Sequence, residues 1–138
     1  MRLRIILILA MVITLFSVAS CITSHDYSVN ITCDEFMDSH HESSEFKVEV
    51  GDKIRVNLCS NPTTGFKWDY TLRGDDAVKE EDHHFEDPDG DTVGVAGTET
   101  WTFEAIKKGT TEIIMEYNQT WDDGIKGEWT CTVGITVE

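Results

Sequence analysis

Residues 53–70 read KIRVNLCSNPTTGFKWDY and place two alternating runs on either side of a short turn. The run Lys53–Leu58 carries an apolar residue at every second position, and the run Phe66–Tyr70 does so with aromatic residues. This alternation predicts two half-buried β-strands. Between them, Pro62 fixes φ at a first turn position and Gly65 permits positive φ, so Asn61–Phe66 is predicted to be a rigid turn. Such a turn is usually only a connection, but this one is uncharged, which suggests a presented contact surface.

The same alternation recurs along the chain at intervals of about ten residues, with turn-forming residues between the runs. Further strands are predicted over Tyr27–Thr32, Phe46–Val50, Thr98–Ala105, Thr111–Tyr117 and Trp129–Val137. The segment Asp34–Ser44 is predicted to be a polar loop, and Ala77–Phe85 an irregular acidic segment with a short strand near His84-Phe85. No helical period is found. The pattern predicts an all-β antiparallel sandwich of seven to eight strands, with Trp68, Trp101 and Phe103 in its core.

Charge and length restrict the class of protein. The chain has 138 residues and a net charge of −15, from 11 basic and 26 acidic side chains. The length suggests one folded domain. The negative charge argues against binding to nucleic acid or to an anionic membrane surface, since both attract lysine and arginine. It fits an extracellular protein.

The N-terminus is predicted to be a targeting segment. Residues 1–20 combine Arg2 and Arg4 with an apolar stretch, Ile5–Phe16, that is short for a membrane span. The small residues before Cys21 resemble the lipobox of prokaryotic lipoproteins, in which that cysteine is lipidated. Ordinary cleavage and an uncleaved anchor are the alternatives. We expect an exported protein, lipid-anchored or secreted, with residues 21–27 as a tether and 28–138 as the domain. Membrane contact is expected only through the lipid.

Three cysteines remain if Cys21 carries a lipid, namely Cys33, Cys59 and Cys131. Export permits disulfides, and three thiols cannot all pair within one chain. One bridge and one buried thiol are therefore expected. The sequence does not identify the pair.

Positive signs of catalysis or of a bound cofactor are lacking in the sequence. The run Asp87–Asp91 resembles part of a calcium loop but lacks the spacing and the closing glutamate of an EF-hand. The pairs His40-His41 and His83-His84 are more typical of solvated loops than of metal sites. Motifs for a serine nucleophile, a zinc protease or a phosphate loop are absent. We predict no metal, no cofactor and no enzymatic activity.

Three loops in this order resemble the chagasin family, proteinaceous inhibitors of papain-like cysteine proteases. The family shows an NPTTG-aromatic loop, a glycine-rich loop and an RPW-type loop. The matching residues in this chain are Asn61, Pro62, Thr63, Thr64, Gly65 and Phe66 in the first loop, Gly94, Val95, Ala96, Gly97 and Thr98 in the second, and Gln119, Thr120 and Trp121 in the third. The resemblance covers about residues 28–138.

The resemblance implies an immunoglobulin-like β-sandwich whose three loops cluster at one end and fill the active-site cleft of the protease. It places Thr63 and Thr64 at the tip of the central loop, close to the catalytic cysteine. It implies a reversible inhibitor of papain-like cysteine proteases. We expect the protein to be a monomer.

Two of the loops depart from the family pattern. Ala96 stands where the family often has glycine, and Gln119 and Thr120 stand where arginine and proline are usual. The change at Gln119 removes a charge-assisted contact, and Thr120 is expected to loosen the loop. We therefore expect an inhibitor that is weaker than is typical or is tuned to another enzyme. The alternative is a surface binding module on the same sandwich without inhibitory activity.

Overall fold

The computed structural model describes residues 23–88 and 94–138; the predicted signal segment, Cys21 and part of Asp87–Asp91 lie outside this range. Within it the chain forms eight strands and one short α-helix. In chain order they are β1 (Asp26–Ile31), α1 (Cys33–Ser39), β2 (His41–Val48), β3 (Lys53–Ser60), β4 (Phe66–Gly74), β5 (Val78–Glu86), β6 (Gly97–Ala105), β7 (Gly109–Gln119) and β8 (Trp129–Val137).

The strands form two four-stranded sheets, in the orders β1-β3-β6-β5 and β2-β8-β7-β4. The predicted all-β sandwich is thereby confirmed, with eight strands. Four of the six pairings are antiparallel, whereas β1 pairs parallel to β3 and β2 parallel to β8. The parallel pairings lie at the sheet edges, where the N-terminal part of the chain adds one strand to each sheet.

The core lies between the sheets and follows from the alternation in the sequence. Ile54, Val56 and Leu58 of β3 are fully buried, as the pattern predicts. Trp68, Trp101 and Phe103 are buried as well, with exposed fractions of 6%, 2% and 0%. Full burial of a side chain of this size contributes roughly 1.5–3 kcal/mol through the hydrophobic effect, so these strands hold the sandwich together.

The prediction of a polar loop over Asp34–Ser44 is wrong, as is the absence of any helix. Residues Cys33–Ser39 form α1, which begins with a capping box: the Thr32 hydroxyl accepts from the Glu35 N–H, and the Glu35 carboxylate accepts from the Thr32 N–H at 2.7 Å. Bonds from the Thr32 N–H and then its hydroxyl hold the pKa of Glu35 below its ordinary value. Two turns are too short to display a hydrophobic period, so the capping residues were the only local signal.

A second error concerns β5, which runs over the whole of Val78–Glu86 where an irregular segment was expected. Only Val78 in this strand is buried, so the sequence of the strand shows no apolar alternation from which it could be predicted. The strand forms by pairing with β6, with an irregularity between Glu80 and Asp82. Charged side chains and a bulge are common on edge strands, because they discourage pairing with another chain.

Candidate functional site

Strand register brings the three loops to one end of the sandwich. We define loop 1 as residues 61–66, loop 2 as residues 94–98 and loop 3 as residues 119–128. Ser60, just before loop 1, pairs with Gly97 of loop 2. Phe66, at the end of loop 1, pairs with Gln119 at the start of loop 3. Loop 1 is therefore central, with one of the other loops on each side.

Loop 1 is held in a single turn of 3-10 helix over Pro62–Thr64. The Asn61 carboxamide oxygen accepts from the Thr63 N–H at 3.2 Å and from the Thr63 hydroxyl at 2.6 Å. The Thr64 hydroxyl donates to the Asn61 carbonyl at 2.7 Å. Gly65 closes the turn with φ +79°, in the left-handed region that favours glycine. The predicted rigid turn, with Pro62 at its start and Gly65 at positive φ, is confirmed.

The tip of loop 1 faces solvent. Pro62, Thr63 and Thr64 are exposed, whereas Asn61, Gly65 and Phe66 are partly buried at its base. Because Thr63 and Thr64 are hydrogen-bonded to Asn61 within the loop, the tip presents a rigid and uncharged surface.

Tyr117 of β7 fixes the base of loop 1, a role that the sequence did not suggest. Its hydroxyl accepts from the Asn61 N–H at 2.8 Å and donates to the Asn61 carbonyl at 3.3 Å. Its ring is 3% exposed and stacks on Phe66, with 5.1 Å between ring centroids. Tyr117 and Asn61 are 56 positions apart in the sequence, so no local pattern signals this contact.

Loop 2 is joined to loop 1 by the Asn61 side chain, whose amide donates to the Gly94 carbonyl at 3.0 Å. At Gly97 a Cβ atom would lie 2.2 Å from the Glu86 carbonyl oxygen, so only glycine fits there. Ala96 packs against the core, Val95 is 47% exposed, and Thr98 pairs with Cys59 of β3. The position of loop 2 is thus fixed by the pairing of Gly97 and Thr98, at the start of β6, with the end of β3.

Loop 3 lies on the other side of loop 1. The ring of Trp121 rests on Gly65, since a Cβ atom at that glycine would come within 2.8 Å of it. Half of the Trp121 side chain, 50%, is still exposed. One part of the indole therefore packs against the central loop, and the rest faces solvent beside the exposed Thr120.

Gln119 closes loop 3 through hydrogen bonds to Ile125. Its side-chain oxygen accepts from the Ile125 N–H at 2.8 Å, and its own N–H donates to the Ile125 carbonyl at 2.8 Å. The Lys126 ammonium donates to the carbonyl oxygens of Gln119 and Trp121. These bonds link both ends of loop 3, which has no proline at position 120.

An apolar groove of about 440 Å³ runs beside loop 1 and loop 3. Met37, Thr64, Phe66, Ile125 and Trp129 are among its lining residues. Met37 and Ile125 were not predicted to belong to this surface. The apolar character of Ile125 in a polar loop was the one available signal.

The cysteines behave as expected, and the structure identifies the pair. Cys33 of α1 is bonded to Cys59 of β3, with 5.1 Å between Cα atoms, and Cys131 is a buried free thiol. Cys59 lies two residues before Asn61, so the bridge fastens α1 at the base of loop 1. Burial, followed by the charge of Glu42, raises the pKa of Cys131 to about 12, which keeps it protonated.

His41, His83 and His84 lie on strand surfaces rather than in the loops expected for them, and His40 ends α1 as its C-cap residue. His83 stacks on Trp101 at 4.2 Å and lies 2.9 Å from a Glu99 oxygen, while His41 contacts the Thr130 hydroxyl at 2.7 Å. Among residues 23–88 and 94–138, no three His, Cys, Asp or Glu side chains are arranged to hold a metal ion. In the same ranges no helix is long and apolar enough to cross a membrane.

Comparison with known proteins identifies relatives of the sandwich and its loops. The model of the chagasin family peptidase inhibitors, I42, matches residues 47–135. Chagasin of Trypanosoma cruzi is 28% identical over 85 residues, which are 59% of this chain and 77% of that protein. Amoebiasin-2 of Entamoeba histolytica is 30% identical over 83 residues, covering 56% of this chain and 63% of that protein.

Solved structures share the fold. The cysteine protease inhibitor EhICP2 from Entamoeba histolytica superimposes with a TM-score of 0.67 at 19% identity, over 83% of this chain and 97% of that one. PbICP-C, solved in complex with falcipain-2, gives a TM-score of 0.58 at 15% identity, over 83% of this chain and 100% of that one. Because the sequence identities are below 20%, these superpositions establish a shared β-sandwich fold and nothing further.

Proposed function

Because the chain belongs to the chagasin family of peptidase inhibitors, we propose that it is a reversible inhibitor of papain-like cysteine proteases that inserts loops 1, 2 and 3 into the active-site cleft. The observation that carries this proposal is that contacts join loops 1, 2 and 3 into one continuous surface at the end of the sandwich, which we call the loop edge. Asn61 bonds loop 1 to Gly94 of loop 2, and Gly65 carries the ring of Trp121 from loop 3. A single rigid edge can enter a cleft without being ordered on binding, which lowers the entropy cost of association.

Loop 1 has the properties of a wedge that is not cut. A protease cuts a peptide whose carbonyl carbon is held in line for attack. The 3-10 turn over Pro62–Thr64 and the bonds to Asn61 hold the backbone of loop 1 away from an extended, substrate-like shape. Thr63 and Thr64 would approach the catalytic cysteine without presenting a bond in attack geometry.

The flanking loops supply the energy of binding. The exposed half of Trp121 offers a large apolar surface with few rotatable bonds, which is typical of an interface hot spot. Gly94 lies exposed in loop 2, and no atom of the described residues lies within 4 Å of the place that a Cβ would take there, so backbone of the protease can come close to it. Relatives support this target class: EhICP2 is a cysteine protease inhibitor, and PbICP-C was solved in complex with falcipain-2.

Inhibition of a papain-like protease tests the function. The purified protein is titrated into papain and cathepsin L assays with a peptide substrate. We expect reversible inhibition of at least one enzyme, which is lost when Thr63→Arg and Thr64→Arg are introduced together. The exposed Thr110, at the opposite end of β7, gives the matched control Thr110→Arg. Full activity of both enzymes at high micromolar protein would contradict the proposal.

We further propose that the protein is exported as a monomer and anchored by a lipid on Cys21. The Cys33–Cys59 disulfide supports an oxidising compartment, because such bonds persist mainly outside the cytosol. Blocking lipoprotein signal peptidase in the native host should retard the protein on a gel, and Cys21→Ser should remove that effect. An unchanged mobility would leave ordinary cleavage as the better account.

A further inference from the structure

The most exposed apolar side chains concentrate at the end of the sandwich that carries loops 1, 2 and 3. Among the large hydrophobic residues of the described ranges, the four most exposed are Met37 at 61%, Ile125 at 52%, Trp121 at 50% and Val95 at 47%. The last three belong to loops 2 and 3. Met37 belongs to α1, which is not one of the three loops. A patch of exposed apolar side chains of this kind marks an interaction surface.

The position of α1 is fixed rather than incidental. The Cys33–Cys59 disulfide joins the start of the helix to the strand that leads into loop 1. Phe36 is fully buried and stacks on Trp129 with 5.1 Å between ring centroids. Met37, the next residue, is therefore held on the outer side of a helix that cannot easily move away.

Met37 shares a surface with the central loop. It lines the same groove of about 440 Å³ as Thr64 and Phe66 of loop 1 and Ile125 of loop 3. A protease that receives loops 1 and 3 in its cleft must therefore pass over this groove. The wall of the cleft beside loop 3 is the part of the protease that would face Met37.

The helix also precedes the part of the chain that the family model describes. That match begins at residue 47, whereas α1 spans Cys33–Ser39. The contact surface that α1 provides is thus supplied by a segment outside the matched region. Such a segment can alter which protease is preferred while the three loops keep their own roles.

We infer that α1 is a fourth contact of the inhibitory surface, in which Met37 and Ile125 cover an apolar surface of the target protease beside its active-site cleft. This inference rests on the proposed function. Methionine suits the role because its flexible thioether adapts to irregular apolar surfaces. The occupant of the groove is the protease itself, because the groove is continuous with loops 1 and 3.

The test compares inhibition constants of variants for whichever of papain and cathepsin L is inhibited more tightly. We expect Met37→Ala to raise the inhibition constant about fivefold to tenfold, the loss seen at the minority of interface residues that dominate binding. Met37→Glu should raise it further, and Met37→Leu should stay close to the wild type. Ile106→Ala removes a 40% exposed side chain at the opposite end and should leave the constant within about twofold, as peripheral residues usually do.

Folding is checked by the melting temperatures of all variants, which should agree because Met37 is exposed and alanine favours a helix. Unchanged inhibition by both Met37→Ala and Met37→Glu, with loss of inhibition in the Thr63→Arg and Thr64→Arg double variant, would overturn the fourth contact and leave the proposed function intact. Absence of inhibition by the wild type would overturn both.

Discussion

The hydroxyl of Tyr117 holds the main chain of Asn61 from both sides. It accepts from the Asn61 N–H at 2.8 Å and donates to the Asn61 carbonyl at 3.3 Å. Because Asn61 in turn bonds to Thr63, Thr64 and Gly94, one phenolic oxygen of β7 anchors the residue that shapes loop 1 and joins it to loop 2. The loop edge is therefore positioned from the core of the sandwich.

We predict that Tyr117→Phe weakens inhibition while leaving the sandwich folded. The ring keeps its place in the core, but the Asn61 N–H loses its partner, which costs about 0.5–1.5 kcal/mol of unfolding free energy. The looser loop should raise the inhibition constant several-fold. Tyr70→Phe is the control, because that hydroxyl bonds to Glu80 on the sheet surface at 2.6 Å. Equal inhibition by both variants would show that Tyr117 does not position loop 1.

Comparing alanine substitutions at two glycines with similar backbone conformations distinguishes the effect of backbone strain from the effect of displacing Trp121. Gly65 has φ +79° and Gly94 φ +86°, but an added Cβ at Gly65 would meet the Trp121 ring, whereas nothing in residues 23–88 and 94–138 lies within 4 Å of one at Gly94. Each alanine substitution should cost about 1–2 kcal/mol of unfolding free energy from the left-handed backbone. Gly65→Ala should also displace Trp121 and weaken inhibition more than Gly94→Ala does. Urea unfolding and inhibition assays measure the two effects; a larger loss of inhibition in Gly94→Ala would contradict this account.

Asp52 should make the stability of the protein sensitive to acid. Burial raises the pKa of this carboxyl, but bonds from the N–H groups of Glu49 and His25 outweigh burial, so its pKa lies below the ordinary value of 3.8. A depressed pKa stabilises the fold above the ordinary value, and this stabilisation is lost as pH falls below it. Asp52→Asn should lower the unfolding free energy by about 1–3 kcal/mol at neutral pH, since one of the two partly buried bonds to this side chain, from the Glu49 or the His25 N–H, is lost together with the charge that accepts it.

The measurement is the unfolding free energy as a function of pH between neutrality and pH values below 3.8. The wild type should lose stability relative to Asp52→Asn as the pH falls, so the two curves converge. The exposed Asp76 provides the control Asp76→Asn, which should run parallel to the wild type. Parallel curves for Asp52→Asn and the wild type would show that the bonds to Asp52 do not control the acid sensitivity.

Cys131 should be chemically inert in the folded protein. Burial, followed by the charge of Glu42, raises its pKa to about 12, and its side chain is not exposed to solvent. The thiolate is the reactive form of cysteine, so iodoacetamide at pH 8 should leave Cys131 unlabelled until denaturant is added. Mass spectrometry of the Cys131 peptide gives the extent of labelling. Equally fast labelling with and without denaturant would contradict the burial of this thiol.

The parts of the fold that could be predicted are those with local signals. Alternation in β3 and β8 marked buried strands, and Pro62 with Gly65 marked the turn of loop 1. The charged strand β5 could not be predicted in full, because it forms by pairing with β6 rather than by burying its own side chains. The helix α1 was missed because seven residues display no period.

The candidate site also combines features that the sequence predicts with contacts that it does not. The three loops could be identified from their motifs, and their meeting at one end followed from the family resemblance. The contacts that hold them depend on residues far apart in the sequence: Tyr117 at Asn61, Trp121 at Gly65 and Lys126 behind Gln119. The disulfide partner of Cys59 could not be named, because its position depends on the unpredicted α1.

The most direct test of the central claim, that loop 1 occupies the catalytic centre of the protease, is alkylation of the active-site thiol. Iodoacetamide is added to papain, or to the more tightly inhibited enzyme, at a protein concentration about 100 times the Kd. Alkylation should slow about 100-fold, because only the free enzyme reacts, and the Thr63→Arg and Thr64→Arg double variant should give no protection. Alkylation at the rate of the free enzyme, while cleavage of a peptide substrate is inhibited, would contradict it by placing the protein outside the catalytic centre.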